Sequence, residues 1–243
     1  MLTSGCSFTE SKRINIGNKK LQQKSWADYL ADRLEKKLVN HGRGGAGNEY
    51  IYNSIVDNLE NEDLVVVLWS GFDRWDVADR MTIQIPYLIE DGGTMPRKNE
   101  LVDFTTGEFE NSCLADERVV AISKSILSSD FWDYEYQIRK TIRWMVSLQT
   151  ICESKGIPII QSMAFIECIA LTQKQIANTM INFKPFYELE NTTIGWPFLD
   201  LLGGYTIMDK LKDDMFVSEF DQHPNEKGHK YISELLYDDK FCI

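Results

Sequence analysis

Apolar and polar positions change period along this chain, and each change marks an element. Residues 64–69, Leu-Val-Val-Val-Leu-Trp, form an unbroken apolar run of strand length. Such a run is expected of a strand covered on both faces of a parallel sheet. Trp26, Leu30, Leu34 and Leu38 recur at helical spacing after Ser25, a natural N-cap, which predicts a helix over 26–38. Residues 1–4 allow only a short first strand, and Gly5 lets the backbone turn sharply after it. Val39 and Asn40 predict a second short strand. A glycine-dense loop, 40–48, comes next, and then a helix with Tyr50, Ile51, Ile55 and Leu59 on its inner face. The order strand, helix, strand, helix, strand predicts an α/β fold, a three-layer α/β/α sandwich around a mostly parallel central sheet.

Elsewhere the pattern is less regular. Residues 10–24 are polar and rich in lysine, and read as a surface loop. The rhythm breaks over 70–115, where Met81-Thr-Ile-Gln-Ile alternates like a strand, Asp91-Gly-Gly signals a turn and 101–109 has the pattern of a hairpin. This predicts an insertion at about 80–130 lying over the edge of the sheet. A long helix is expected over 131–154, a strand over 157–162, and short helices around Trp196-Pro197 and Gly203-Gly204. A final helix, capped by Asn225, carries Tyr231, Ile232, Leu235 and Leu236. Nothing in composition divides the chain, so residues 1–243 are expected to form one domain.

Composition narrows the classes of function. Apolar residues make up 43% of 243, enough for a substantial core. The formal net charge of −11 has no basic run to offset it, which argues against partners with phosphate backbones and against anionic membrane surfaces. Cysteines at 6, 113, 152, 168 and 242 are odd in number and irregular in spacing, which favours unpaired thiols over a disulfide framework or a zinc site. The N-terminus shows no basic region followed by an apolar run, and no apolar stretch is long enough to span a bilayer, so a cytoplasmic location is expected.

The candidate chemistry lies at the two ends of the chain. His223 precedes Pro224, which disfavours helical backbone at His223 and holds it extended. On extended backbone, residues two apart share a side, so Asp221 would lie beside the imidazole and orient it as a base. Ser7 follows Gly5-Cys6 at a strand-to-loop turn and is the candidate nucleophile. Cys6 is a rival because a thiol is intrinsically more nucleophilic, but adjacent side chains point apart and Ser7 is favoured. If folding brings Ser7 to His223, the result is a nucleophile, a base and an orienting carboxylate, the arrangement used in acyl transfer. His229, inside the last helix, and His41, beside the glycine loop, read as structural. The glycine loop has neither the Gly-x-Gly-x-x-Gly spacing of dinucleotide binding nor the Gly-Lys-Ser/Thr ending of a triphosphate loop. It is better suited to aim a bare backbone amide at a developing oxyanion.

Taken together, these pieces resemble the SGNH hydrolases, also called the GDSL esterase/lipase superfamily. Gly5-Cys6-Ser7-Phe8 is similar to the family's Gly-Asp-Ser block, with Cys6 in place of the usual Asp. Asn40-x-Gly42-x-x-Gly45 resembles its glycine block, and Asp221-Gln-His223-Pro224 its closing acid–His block. The matches fall in order on the expected elements across nearly the whole chain. The resemblance implies the flavodoxin-like SGNH fold and a serine esterase of short-acyl or carbohydrate O-acetyl esters, with a small-molecule or carbohydrate ester as its partner and no cofactor or metal. It also implies Ser7, His223 and Asp221 as the triad, with the amides of Ser7 and Gly45 in the oxyanion hole.

Two departures stand out. The third block, Leu68-Trp-Ser-Gly-Phe-Asp-Arg74, has no asparagine where the family places an oxyanion donor, leaving the Ser70 hydroxyl or the Asn48 side chain as substitutes. The acid–His interval is two rather than the three often found, which makes Glu219 the alternative acid. The missing asparagine also supports a rival reading, a non-catalytic binding or structural module with this fold. Trp75, Tyr87 and Trp132 suit sugar rings and a hydrophobic core equally well.

Overall fold

The chain is described by a computed structural model over residues 1–11, 13–16, 19–78, 81–84, 133–166, 171–219 and 221–241. Strand β1 (Leu2–Gly5) lies between β4 (Val39–Asn40) and β5 (Val65–Trp69), and β8 (Ile159–Met163) and β9 (Thr193–Ile194) continue the sheet beyond β5. All four pairings in this five-stranded sheet are parallel. Counting only its own strands, the spatial order is second, first, third, fourth, fifth, the flavodoxin-like doubly wound arrangement. In such sheets the binding crevice opens at the carboxyl ends of the strands where the winding reverses, here between β1 and β5. Gly5 pairs with Leu68 at that end, so the segments after both strands emerge side by side.

Helices cover both faces. Val65, Val67 and Trp69 pack into one core with Ile51 and Ile55 of α2 (Asn48–Val56) and Ile138, Ile142, Met145 and Leu148 of α3 (Tyr134–Ser154). Leu64, Val66 and Leu68 turn the other way, to Trp26 and Leu30 of α1 (Trp26–Arg33) and Ile232 and Leu236 of α6 (Glu226–Phe241). The unbroken apolar run is therefore a strand whose two alternating sets of side chains feed two different cores, as its sequence requires. Trp69 Nε1 donates to Gln161 Oε1 at 2.9 Å, which satisfies both buried polar groups.

Helix α1 ends earlier than its leucine spacing predicts. Lys36 N donates to Ala31 O at 2.9 Å and Glu35 N to Asp32 O at 3.2 Å, the paired bonds of a Schellman closure. Glu35 takes the left-handed backbone this closure needs, at φ 52°. Leu34 and Leu38 still reach the second core, but from the connection into β4 rather than from a helical face.

Three other expectations change. Within the polar stretch 10–24 the chain forms an antiparallel pair, β2 (Arg13–Ile16) with β3 (Lys19–Gln22), rather than a loop. The alternating strand at Met81 is present as β7 (Met81–Gln84), but it pairs with an unforeseen partner, β6 (Arg74–Ala78), which carries Trp75. Around the expected short helices at Trp196-Pro197 and Gly203-Gly204, residues 171–215 form α4 (Gln173–Ile181) and α5 (Ile207–Lys210), and also β9, the fifth strand of the main sheet. Most of the expected insertion, with the 101–109 hairpin, Tyr87 and Trp132, lies outside the described residues. Among the described residues no helix is long and apolar enough to cross a membrane.

Candidate active site

The turn after β1 is built from its own backbone. Thr9 N and Glu10 N both donate to Cys6 O, at 2.8 and 3.2 Å, which folds residues 6–10 tightly. The turn is pinned from outside by Trp26 Nε1, which donates to Thr9 Oγ1 at 3.3 Å. Within it, adjacent side chains part: Cys6 is wholly buried in the core with Phe8 and Trp26, while Ser7 sits at the surface of a cleft. The rival nucleophile is therefore packed away from the site.

The opposite wall comes from the segment before α6. Val217 N donates to His223 O at 2.9 Å and Asn225 N to Met215 O at 2.9 Å, so residues 215–217 and 223–225 run antiparallel. Asn225 caps α6, its Oδ1 accepting from Gly228 N at 3.0 Å, and its Nδ2 donates to the carbonyls of Asp214 and Phe216. The cap thus fixes the segment that carries His223 as well as the helix.

The two walls meet across 216 residues of sequence, with His223 Nε2 2.9 Å from Ser7 Oγ. On its other side, His223 Nδ1 is 2.5 Å from Asp221 Oδ1, and that oxygen also accepts from His223 N at 3.1 Å. A proton on Nδ1 donated to Asp221 leaves Nε2 free to accept from the serine hydroxyl, the tautomer a general base requires. The Phe8 ring packs beside the imidazole, with centroids 6.1 Å apart. Glu219 is exposed and makes no hydrogen bond to His223 among the described residues, whereas Asp221 reaches it across an interval of two.

The glycine loop lies against the serine turn. Arg43 N donates to Gly5 O at 3.0 Å, and Asn40 bridges the two, accepting from Gly42 N at 2.8 Å and donating to Thr9 O at 2.8 Å. Gly45 has φ 70°, a left-handed backbone that favours glycine. Neither its amide nor that of Ser7 has an acceptor among the described residues.

The two substitutes for the missing asparagine fare differently from expectation. Asn48 is committed elsewhere: its Nδ2 donates to the Ser70 and Gly71 carbonyls and to Thr141 Oγ1 at 3.0, 3.2 and 3.2 Å, and its Oδ1 accepts from Ser70 N at 2.8 Å. It braces the end of β5 and has no donor left for a substrate. Ser70 is wholly buried, and its hydroxyl has no hydrogen-bond partner among the described residues. The cleft itself is lined by Ser7, Glu10, Gln23, Val217, His223, Pro224 and His229, with neither substitute among them. No motif in the sequence marks Glu10 and Gln23 as lining residues.

The other two histidines have structural settings. His229 Nδ1 accepts from Trp26 N at 3.3 Å, joining the starts of α1 and α6. His41 stands at the end of β4, and burial pushes its imidazole below the usual histidine value. The folded protein therefore binds fewer protons at His41 than the unfolded chain does below about pH 6.5, so this contribution to stability is complete above that pH and is lost as pH falls through the folded value. His41→Gln is expected to flatten the decline in urea midpoint between about pH 7 and about pH 5. Identical slopes in the two proteins would remove His41 from the acid response. Among the described residues no group of His, Cys, Asp and Glu side chains could hold a metal ion.

No protein-family model matches the chain, and no match is found among curated proteins. Among solved structures the chain is similar to a psychrotrophic esterase from a Pseudoalteromonas species, at 12% identity over 98% of this chain and 93% of that one, with a TM-score of 0.48. It is also similar to a catalytic mutant of an acetylxylan esterase from Geobacillus stearothermophilus, at 14% identity over 98% and 92% with a TM-score of 0.46. A third is a protein described as lipolytic and of the G-D-S-L family from Desulfitobacterium hafniense, at 15% identity over 96% and 95% with a TM-score of 0.45. Identities and TM-scores are low, so the case for any chemistry rests on the geometry of Ser7, His223 and Asp221 themselves.

Proposed function

We propose that this protein is a serine hydrolase of carboxylic ester bonds, working by the SGNH type of mechanism. The observation that carries the reading is the 2.9 Å contact of Ser7 Oγ with His223 Nε2, continued at 2.5 Å from Nδ1 to Asp221. His223 takes the hydroxyl proton as Ser7 Oγ attacks the ester carbonyl, and the new C–O bond pushes the carbonyl electrons onto oxygen. The amides of Ser7 and Gly45 hold that oxyanion, each worth about 3 kcal/mol in acyl transfer. As the tetrahedral intermediate collapses, the ester C–O bond breaks and the alcohol leaves with the proton from His223. Water enters, gives a proton to the same nitrogen and attacks the acyl-enzyme; the acid departs and Ser7 regains its hydrogen. Asp221 stabilises the imidazolium throughout without taking the proton.

The substrate we favour is a short-acyl ester, such as an O-acetyl group on a carbohydrate. Supporting this, Glu10 and Gln23 give the cleft a polar lining, and its exposed apolar contribution is Val217. A fluorophosphonate probe is expected to label the protein at Ser7, while iodoacetamide leaves activity unchanged because Cys6 is buried. Acetylated sugars should be cleaved faster than long-chain acyl esters of the same alcohol.

A second reading, a non-catalytic module, is favoured by one observation. Asn48 is fully engaged and Ser70 is buried, so neither side chain offers an oxyanion donor in the cleft. An intact protein that the probe does not modify would establish this reading and end the esterase one.

A further inference from the structure

Asp76, on β6, lies outside every motif used so far, yet its carboxylate closes on the glycine loop from both sides of Gly45. Oδ1 accepts from Gly47 N at 3.0 Å, and Oδ2 accepts from Tyr50 N at 2.9 Å. Arg43 Nη2 stands 3.6 Å from Oδ1, and Arg43 Cζ lies over the Tyr50 ring, 3.6 Å from its centroid. The Asp76 side chain is only 7% exposed, so its charge is committed to these partners rather than to water. The seat is close: a Cβ on Gly47 would stand 2.5 Å from Asp76 Oδ2, so only glycine allows the carboxylate this near.

From this geometry we propose that Asp76 is the positioning residue for the oxyanion amide of Gly45. The inference rests on the esterase reading above and adds to it a residue that acts through the loop rather than on substrate. Gly45 sits midway between the two tethered residues, Arg43 and Gly47. Arg43 is held at its other side by Gly5 O, beside the serine turn. With the Gly47 amide held by this carboxylate and the Arg43 amide held by Gly5 O, the backbone is fixed on both sides of Gly45, and the aim of its amide at a developing oxyanion is set before substrate arrives. Pre-set dipoles of this kind act on the transition state more than on the bound substrate, because the charge they meet develops only there. Asp76 lies within β6, which pairs with β7 outside the main sheet, so the β6–β7 pair and the oxyanion loop are mechanically coupled.

The test uses the full chain with a nitrophenyl acetate. Asp76→Ala is expected to lower kcat about 50-fold, less than the about 10²-fold or more lost with a whole oxyanion donor because the amide is misaimed rather than removed, with KM changed less than about twofold. Asp76→Asn keeps one acceptor oxygen and loses the charge facing Arg43, so it should recover part of that loss. Affinity for methylboronic acid, whose tetrahedral adduct on Ser7 places an oxygen in the oxyanion position, should fall by the same factor as kcat/KM in each variant. Measurements are made below each variant's melting temperature. A lower melting temperature with kcat and boronate affinity preserved would show an ordinary structural cap and overturn the proposal. Asp76→Asn as impaired as Asp76→Ala would also count against it. If the unsubstituted protein neither turns over ester nor takes up the fluorophosphonate, the esterase reading itself has failed and this inference falls with it; an active parent with indifferent variants refutes Asp76 alone.

Discussion

Ser7→Ala is expected to reduce kcat for a nitrophenyl acetate by about 10⁵-fold, leaving only the catalysis that oxyanion stabilisation and binding supply. His223→Ala should cost about the same, and the double variant no more, because nucleophile and base act as one unit. Asp221→Asn should lose about 10⁴-fold by presenting the wrong tautomer to the serine. Glu219→Gln should be indifferent, since that carboxylate makes no hydrogen bond to His223 among the described residues. None of these changes should unfold the protein. Ser7 contributes one partly buried hydroxyl, and Asp221 and His223 lie on an exposed turn held by backbone bonds and by Asn225. Turnover surviving in purified Ser7→Ala, with the unfolding midpoint unchanged, would leave this serine without its role.

The second large effect is on stability. Gly5→Ala would place a Cβ 2.1 Å from Thr9 Oγ1 and 2.8 Å from Leu68 O. The threonine can rotate only by giving up its bond from Trp26, and the Leu68 carbonyl belongs to the neighbouring strand of the sheet. Relief must come from moving β1 against β5 or from opening the turn at 6–10. Overpacking of this kind costs about 3 kcal/mol, near the upper end of its usual range, and urea denaturation would measure it. Because Ser7 lies two residues on, the folded fraction should also lose activity. An unchanged urea midpoint together with unchanged kcat would mean that the approach of β1, β5 and the turn is looser than these distances imply.

How much of this was legible beforehand depends on the range of the interaction. The apolar run at 64–69 announces a doubly covered strand because strand geometry sends alternate side chains to opposite faces whatever lies beyond them. The pairing of Asp221 with His223 is local in the same sense: Pro224 restricts the backbone, and extended backbone puts the two side chains together. The pairing of β2 with β3 had a readable signal in Ile14 and Ile16 alternating ahead of the sequence Gly17-Asn18, but the polar composition of the stretch masked it. Strand β9 has two residues, too few for any period, and is a strand only because β8 offers it an edge.

The site divides along the same line. Sequence alone determined the candidate residues and which backbone each prefers: a serine after a glycine turn, an imidazole held extended, a glycine free to take positive φ. Only the tertiary structure decided what each of them meets. The parallel sheet brings the end of β1 to the segment before α6 across 216 residues. The same packing commits Asn48 to the end of β5 and Asp76 to the glycine loop. Local preference is encoded within a few residues and survives in isolation, whereas a hydrogen bond between distant groups exists only once two cores have closed and excluded the water that would otherwise satisfy them.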